Sequence, residues 1–131
     1  MAAVTPTISF YESAQDGSVV KVVWVLTTAN NIGLGFPMDE WVDRTWHLML
    51  DGGGSLGSGT LAVETAPSDT DADYAACKNA AGGAAIAINA APGVATSIEN
   101  AGFMRPKLNG STGASGVRVT LRARRPNPMR Q

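Results

Sequence analysis

Asp69-Thr70-Asp71-Ala72-Asp73 is the stretch whose spacing comes nearest to a metal site. Three alternate carboxylates open a calcium-binding loop, because a hard cation wants several oxygens at once. The rest of that pattern is missing. Tyr74 stands at the sixth position, where the sharp turn needs glycine, and Ala80 at the twelfth, where a bidentate glutamate belongs. A solvated acidic turn is the expected reading, with no metal and no cofactor. His47 is the only histidine, with Asp43 upstream and Asp51 downstream. One imidazole cannot build a three-histidine zinc site, and no Gly-x-Ser-x-Gly element supplies a nucleophile. The run from Asp51 to Gly59 is glycine-rich but lacks the lysine and following helix of a phosphate cradle. Cys77 is alone, so it has no intrachain disulfide partner and is expected to be a small buried hydrophobe. No catalytic residue is assigned, and an enzyme is not expected.

Charge is more informative. Residues 101–131 contain Arg105, Lys107, Arg118, Arg122, Arg124, Arg125 and Arg130 and no carboxylate. Residues 1–100 hold all 11 acidic residues against Lys21, Arg44 and Lys78. The net charge of −1 hides this polarity. A domain polarised this way suits charge-complementary contact with a neighbour, including another copy of itself. Arg118, Arg122, Arg124, Arg125 and Arg130 are the expected partner-binding residues. A nucleic-acid partner is not expected, because no aromatics are interleaved with these arginines to stack bases. Trp24, Trp41 and Trp46, with Tyr11, could form a sugar platform, but large aromatics in a β-rich chain are expected in the core.

The elements that position these residues read as strands. Residues 19–28 are β-branched and aromatic, and predict a strand buried on both faces over much of its length, after a shorter one near 8–11. In 41–50, Val42, Trp46, Leu48 and Leu50 share a face at strand spacing, with Arg44 the exception, while 39–44 also permits a helix. The Asp51–Gly59 run predicts a hairpin loop leading to a half-exposed strand at 59–65. Residues 67–73 predict a polar turn, 74–79 a strand or short helix, and 84–89 and 94–98 short strands. Glycine and proline break the alanine-rich segments too often for a stable helix. Residues 103–108 are extended because Pro106 restricts Arg105. In 117–124, Val117, Val119, Leu121 and Ala123 face one way, and Arg118, Thr120, Arg122 and Arg124 the other. These last two segments predict a hairpin with a long turn. The 131 residues fit one domain over 1–125 with an extended tail at 126–131. With 15 Gly and much of the apolar content in alanine, the core is expected to be thin and to gain from oligomerisation. No apolar run reaches membrane-spanning length. The N-terminal residues lack the pattern of a secretion signal, so synthesis in a cytoplasm is expected.

Two stretches together resemble a known group. One is Trp46-His47-Leu48-Met49-Leu50-Asp51-Gly52-Gly53. The other is Met104-Arg105-Pro106-Lys107-Leu108-Asn109-Gly110-Ser111-Thr112-Gly113, followed by Val117-Arg118-Val119-Thr120-Leu121. They resemble small β-sandwich structural proteins of tailed bacteriophages, in which an R-P-x-L-x-G-x-x-G stretch leads into a closing V-x-V-T-L strand. The aromatic that usually accompanies the Asp-Gly turn in that pattern is absent after Leu50-Asp51-Gly52-Gly53. The resemblance implies an all-β, jelly-roll-like antiparallel sandwich acting as a capsid decoration (cement) protein. It also implies a homotrimer on the virion's capsid surface, with the major capsid protein as partner. A tail, neck or fibre component is the alternative, and a carbohydrate-binding module a more distant one.

Overall fold

A computed structural model describes residues 3–11, 19–80, 83–98, 102–110 and 112–125. Among the described residues nine strands form: β1 (Thr7–Tyr11), β2 (Val19–Leu26), β3 (Phe36–Pro37), β4 (Val42–Ser55), β5 (Thr60–Ala66), β6 (Ala75–Ala76), β7 (Gly93–Thr96), β8 (Phe103–Asn109) and β9 (Ser115–Arg124). A 3₁₀ turn, Asp71–Asp73, precedes β6. The five-stranded sheet has the order β1-β2-β9-β4-β7 and the four-stranded sheet β3-β8-β5-β6. Every pairing between named strands is antiparallel. The two sheets pack as a sandwich, as the sequence predicts. The strand order does not by itself make the sandwich a jelly roll.

Period-two alternation places the core. Val20, Val22, Trp24 and Leu26 of β2 meet Val117, Val119, Leu121 and Ala123 of β9 on the inner face, beside Trp46 and Leu48 of β4. Leu61 and Val63 of β5 and Met104 and Leu108 of β8 close it from the other sheet. Trp24 and Trp46 are fully buried and stacked, with centroids 5.8 Å apart and an 18° interplanar angle. Each indole N–H is satisfied: Trp24 Nε1 donates to Leu34 O (2.9 Å) and Trp46 Nε1 to Ser97 Oγ (3.1 Å). This pairing removes the penalty of burying a polar group. The backbone of Gly33 lies so close to Trp24 that a Cβ there would sit 2.6 Å from its Cδ1 and 2.7 Å from Pro106 Cδ.

Several expectations are corrected. β2 is not buried on both faces: its outward residues are half-buried, and Val25 is exposed, because no layer of described residues covers that side of the sheet. Asp51–Gly59 is not a hairpin loop. β4 continues to Ser55 and pairs with Ser115 past a register shift, and the chain then crosses to the other sheet. β8 and β9 are not a hairpin either, since they lie in opposite sheets and residues 110–114 carry the chain between them. Residues 42–44 belong to β4, and no helix forms at 39–44. Residues 84–89 contribute only isolated bridges, Lys78 with Ala85 and Leu61 with Ile88.

Candidate functional site

The outer face of the five-stranded sheet collects most of the residues singled out above. Its order follows from the register. Ser9, Lys21, Arg122, Thr45 and Thr96 form one row across the five strands, and Thr7, Val23, Thr120, His47 and Val94 the next. Val25, Arg118 and Met49 form a third. The alternation of β9 thus does put Arg118, Arg122 and Arg124 on one face, opposite the core. Arg125 lies just past the end of β9, at the edge of the sandwich. Arg130 and the 126–131 tail lie outside the described residues.

A β-bulge shapes one end of this face. Between the Val42–Arg124 and Thr45–Arg122 pairs, Asp43 and Arg44 on β4 oppose Ala123 alone on β9. Asp43 takes a positive φ of 54°, which aspartate tolerates better than most residues. The extra residue turns the Asp43 carboxylate outward to bond Arg124 Nε. It also turns Arg44 inward. Arg44 is only 3% exposed, donating from Nε to Trp41 O (2.9 Å) and from Nη2 to Met38 O (2.8 Å), with Nη1 3.5 Å from Met104 Sδ. Beside the bulge is a groove of about 270 Å³ lined by Val19, Asp43, Thr45, His47, Arg122, Ala123 and Arg124.

The charge segregation seen in sequence folds back on itself. Besides Arg124 with Asp43, Arg118 Nε lies 3.2 Å from Asp51 Oδ1, and Arg125 Nη1 bonds Glu40 Oε1 at 3.0 Å. Arg125 also sits 4.9 Å from the centre of the Trp41 ring. The two carboxylates that flank His47 in sequence therefore face arginines, Asp43 hydrogen-bonded to Arg124 and Asp51 within ion-pair distance of Arg118 without a hydrogen bond to its Nε. These pairs are solvent-exposed, so each contributes little to stability and can exchange with a partner's charges.

Arg105 has a different role. Its side chain is 7% exposed, with Nε on Glu64 Oε1 (2.9 Å) and Nη1 on Asp71 Oδ1 (2.8 Å), and Tyr74 lies 3.8 Å away against the guanidinium. Tyr74 in turn donates its hydroxyl to Asp69 Oδ1 at 2.7 Å. Gly35 leaves room for that hydroxyl, which a Cβ there would approach to 2.0 Å. The Asp69-x-Asp71-x-Asp73 turn is therefore a tether for the 68–74 loop, with two of its three carboxylates bonded within the chain. Among the described residues, no group of three or more His, Cys, Asp or Glu side chains converges as a metal site. Cys77 is buried as expected, and burial pushes its thiol pKa up while the charge of Arg44 opposes the shift.

Burial, then the hydrogen bond to Asp69 and its charge, raise the Tyr74 phenol well above its ordinary value. Above about pH 10 the unfolded chain releases this proton more readily than the folded one. The tether's contribution is therefore intact below that pH and falls as pH rises further. Tyr74→Phe is expected to flatten the alkaline limb of a stability-against-pH profile measured by urea unfolding. Identical limbs in the two proteins would rule the tether out as the cause.

All three tryptophans are inside, Trp41 at 3% exposure being the most accessible. That removes the three indoles from the sugar platform considered above, while the side chain of Tyr11, its fourth member, lies outside the described residues. Sequence reasoning missed Lys21 and Thr45 on the outer face. A strict period-two reading of 19–26 would have found Lys21. No helix among the described residues is long and apolar enough to cross a membrane. No family model, curated protein or solved structure matches the chain.

Proposed function

We propose that this chain is a non-enzymatic structural protein that docks on another protein through the outer face of its five-stranded sheet. The observation that carries this reading is the make-up of that face. Lys21, Arg118, Arg122 and Arg124 stand on it, and Val25 (42% exposed), Met49 (41%) and Val94 (61%) lie among them. Apolar side chains beside exchangeable charges are the ingredients of a protein interface, the first for affinity and the second for orientation and on-rate. The described side chains of the face include one aromatic ring, His47, and no row of aromatics along which successive bases could stack, which disfavours nucleic acid.

The partner is proposed from the resemblance to phage structural proteins. The chain is a capsid decoration protein, a homotrimer on the virion surface that binds the major capsid protein. The resembling stretch also has a clear structural job, since Arg105 anchors the 68–74 loop and Pro106 is buried between the sheets.

Reversing Arg122 and Arg124 together to glutamate tests the docking face. Both are exposed, so the fold is expected to survive, with an unfolding midpoint close to wild type. Binding to undecorated capsids is expected to fall at least about tenfold, as like-charge contact replaces attraction. Wild-type binding by the double variant would sink the docking face. A few copies at one vertex, in place of many per particle, would select a tail, neck or fibre component.

A further inference from the structure

A sheet edge is where a sandwich can take on another strand, because the backbone N–H and C=O groups on its free side lack partners. Among the described residues, β1 and β7 bound the five-stranded sheet, and β3 and β6 the four-stranded one. Three of these edges are covered or cut short. Residues 78–80 lie along β7: Ala80 N–H donates to Thr96 O (2.8 Å), Ile98 N–H to Lys78 O (3.1 Å), and Asn79 bridges to Ser97. β3 is two residues long and ends in Pro37. β6 is also two residues long, and residues 84–86 take up the chain just beyond it, through Asn79 N–H to Ala84 O and Ile86 N–H to Cys77 O.

β1 is different. Its five residues, Thr7-Ile8-Ser9-Phe10-Tyr11, pair with β2 along their whole length. No described residue bonds its backbone on the other side. The strand has no charge, no proline and no bulge, so the usual devices that discourage edge pairing are missing. Ile8 stands beside the fully buried Val22, on the core side of the sheet, yet is 43% exposed at this edge.

The edge is complementary to itself. Antiparallel pairing of two copies about Ser9, the midpoint of the strand, sets position 7 opposite 11, position 8 opposite 10, and the two serines opposite each other. All five residues then find a partner. Isoleucine at position 8 meets the phenylalanine of position 10, a favourable aromatic and β-branched combination. No like charges meet. Lys21 is one strand behind Ser9, so the two Lys21 residues stand three strand spacings apart, about 14 Å. That exceeds a Debye length of about 8 Å at physiological salt. With the other edges covered or short, β1 has only its own counterpart to pair with, which makes the contact two-fold.

We infer that in the free protein two copies join β1 to β1 about Ser9, fusing their five-stranded sheets into one continuous sheet. The contact covers Ile8, and the outer faces of both copies stay open on the same side. The inference goes beyond the docking face and does not use it. Three copies on a capsid, as the phage resemblance implies, assemble by opening this pair. An edge contact of this length is small, so a concentration-dependent equilibrium between monomer and dimer is expected.

The test is sedimentation equilibrium of the whole protein over a concentration series through about 1 mM. The wild type is expected to move from monomer to dimer. Ser9→Lys, which opposes two lysines at the two-fold axis, is expected to weaken dimerisation at least tenfold while urea unfolding shows the fold retained. Mixing Ser9→Lys with Ser9→Glu is expected to restore association as a mixed pair. Val94→Lys, on the opposite edge of the same sheet, is expected to leave dimerisation within twofold. A wild type that stays monomeric, a trimer without a dimer, or undiminished dimerisation of Ser9→Lys would each overturn the inference. The wild-type series decides by itself if a variant fails to fold. The two proposals fail separately: a monomer that binds capsids overturns the edge pairing alone, and a dimer that ignores capsids overturns the capsid reading alone.

Discussion

Trp24→Ala is expected to cost about 4 kcal/mol of folding stability, within the range of about 3–5 kcal/mol for deleting a buried aromatic. Trp24 is fully buried at the centre of the inner face, opposite Val119 on β9 and stacked on Trp46. The substitution opens a cavity between the sheets and ends the stacking. It also strips Leu34 O of the indole N–H that satisfies it. Gly33 approaches the ring too closely to move in and fill the space without dragging the 32–35 loop with it. Domains of this size are stable by only about 5–15 kcal/mol in total, so the variant sits near the folding threshold. Urea unfolding at fixed pH reads the loss. Trp24→Phe, which keeps an aromatic in the stack, is expected to retain roughly half of it. A Trp24→Ala loss below about 1 kcal/mol would mean that the two sheets are not packed through this residue.

Arg44→Ala is expected to cost about 3 kcal/mol, for a different reason. The guanidinium is buried, and it satisfies the carbonyls of Met38 and Trp41 at the turn that leads into β4. Removing it leaves two buried acceptors without those donors, next to a cavity beside Met104. Arg44→Met is expected to cost less than Arg44→Ala. It refills the space and no longer requires a buried charge, whose desolvation offsets much of the gain from its hydrogen bonds. The comparison, again by urea unfolding, separates packing from hydrogen bonding. If Arg44→Met were worse than Arg44→Ala, filling the space would not be what limits the damage.

The strands with strict alternation were legible in the sequence. Val117 to Arg124 has the inner and outer residues that its pattern predicts, because a half-covered sheet imposes a period of two. The pairing of strands was not legible. Nothing in Asn109–Gly116 distinguishes a hairpin turn from a crossing between sheets, since glycine and serine serve both. The three glycines at 52–54 look like a loop yet extend β4, whose later residues follow β9. The arginines mislead in opposite ways. Arg44 reads as an exception on a core face but is part of the core, admitted by a bulge that no local pattern announces. Arg105 reads as one more cation of a basic segment, but carboxylates 34 and 41 residues away hold it. Of the site itself, the face bearing Arg118, Arg122 and Arg124 was legible. Lys21, Thr45 and the groove depend on which strands neighbour β9, which the sequence does not encode locally.

The most direct test of the central claim is co-sedimentation of the purified protein with undecorated capsids at low and high salt. The expected result is saturable binding of many copies per particle that weakens as salt screens the cationic face. A protein that stays in the supernatant at every salt concentration would contradict the account.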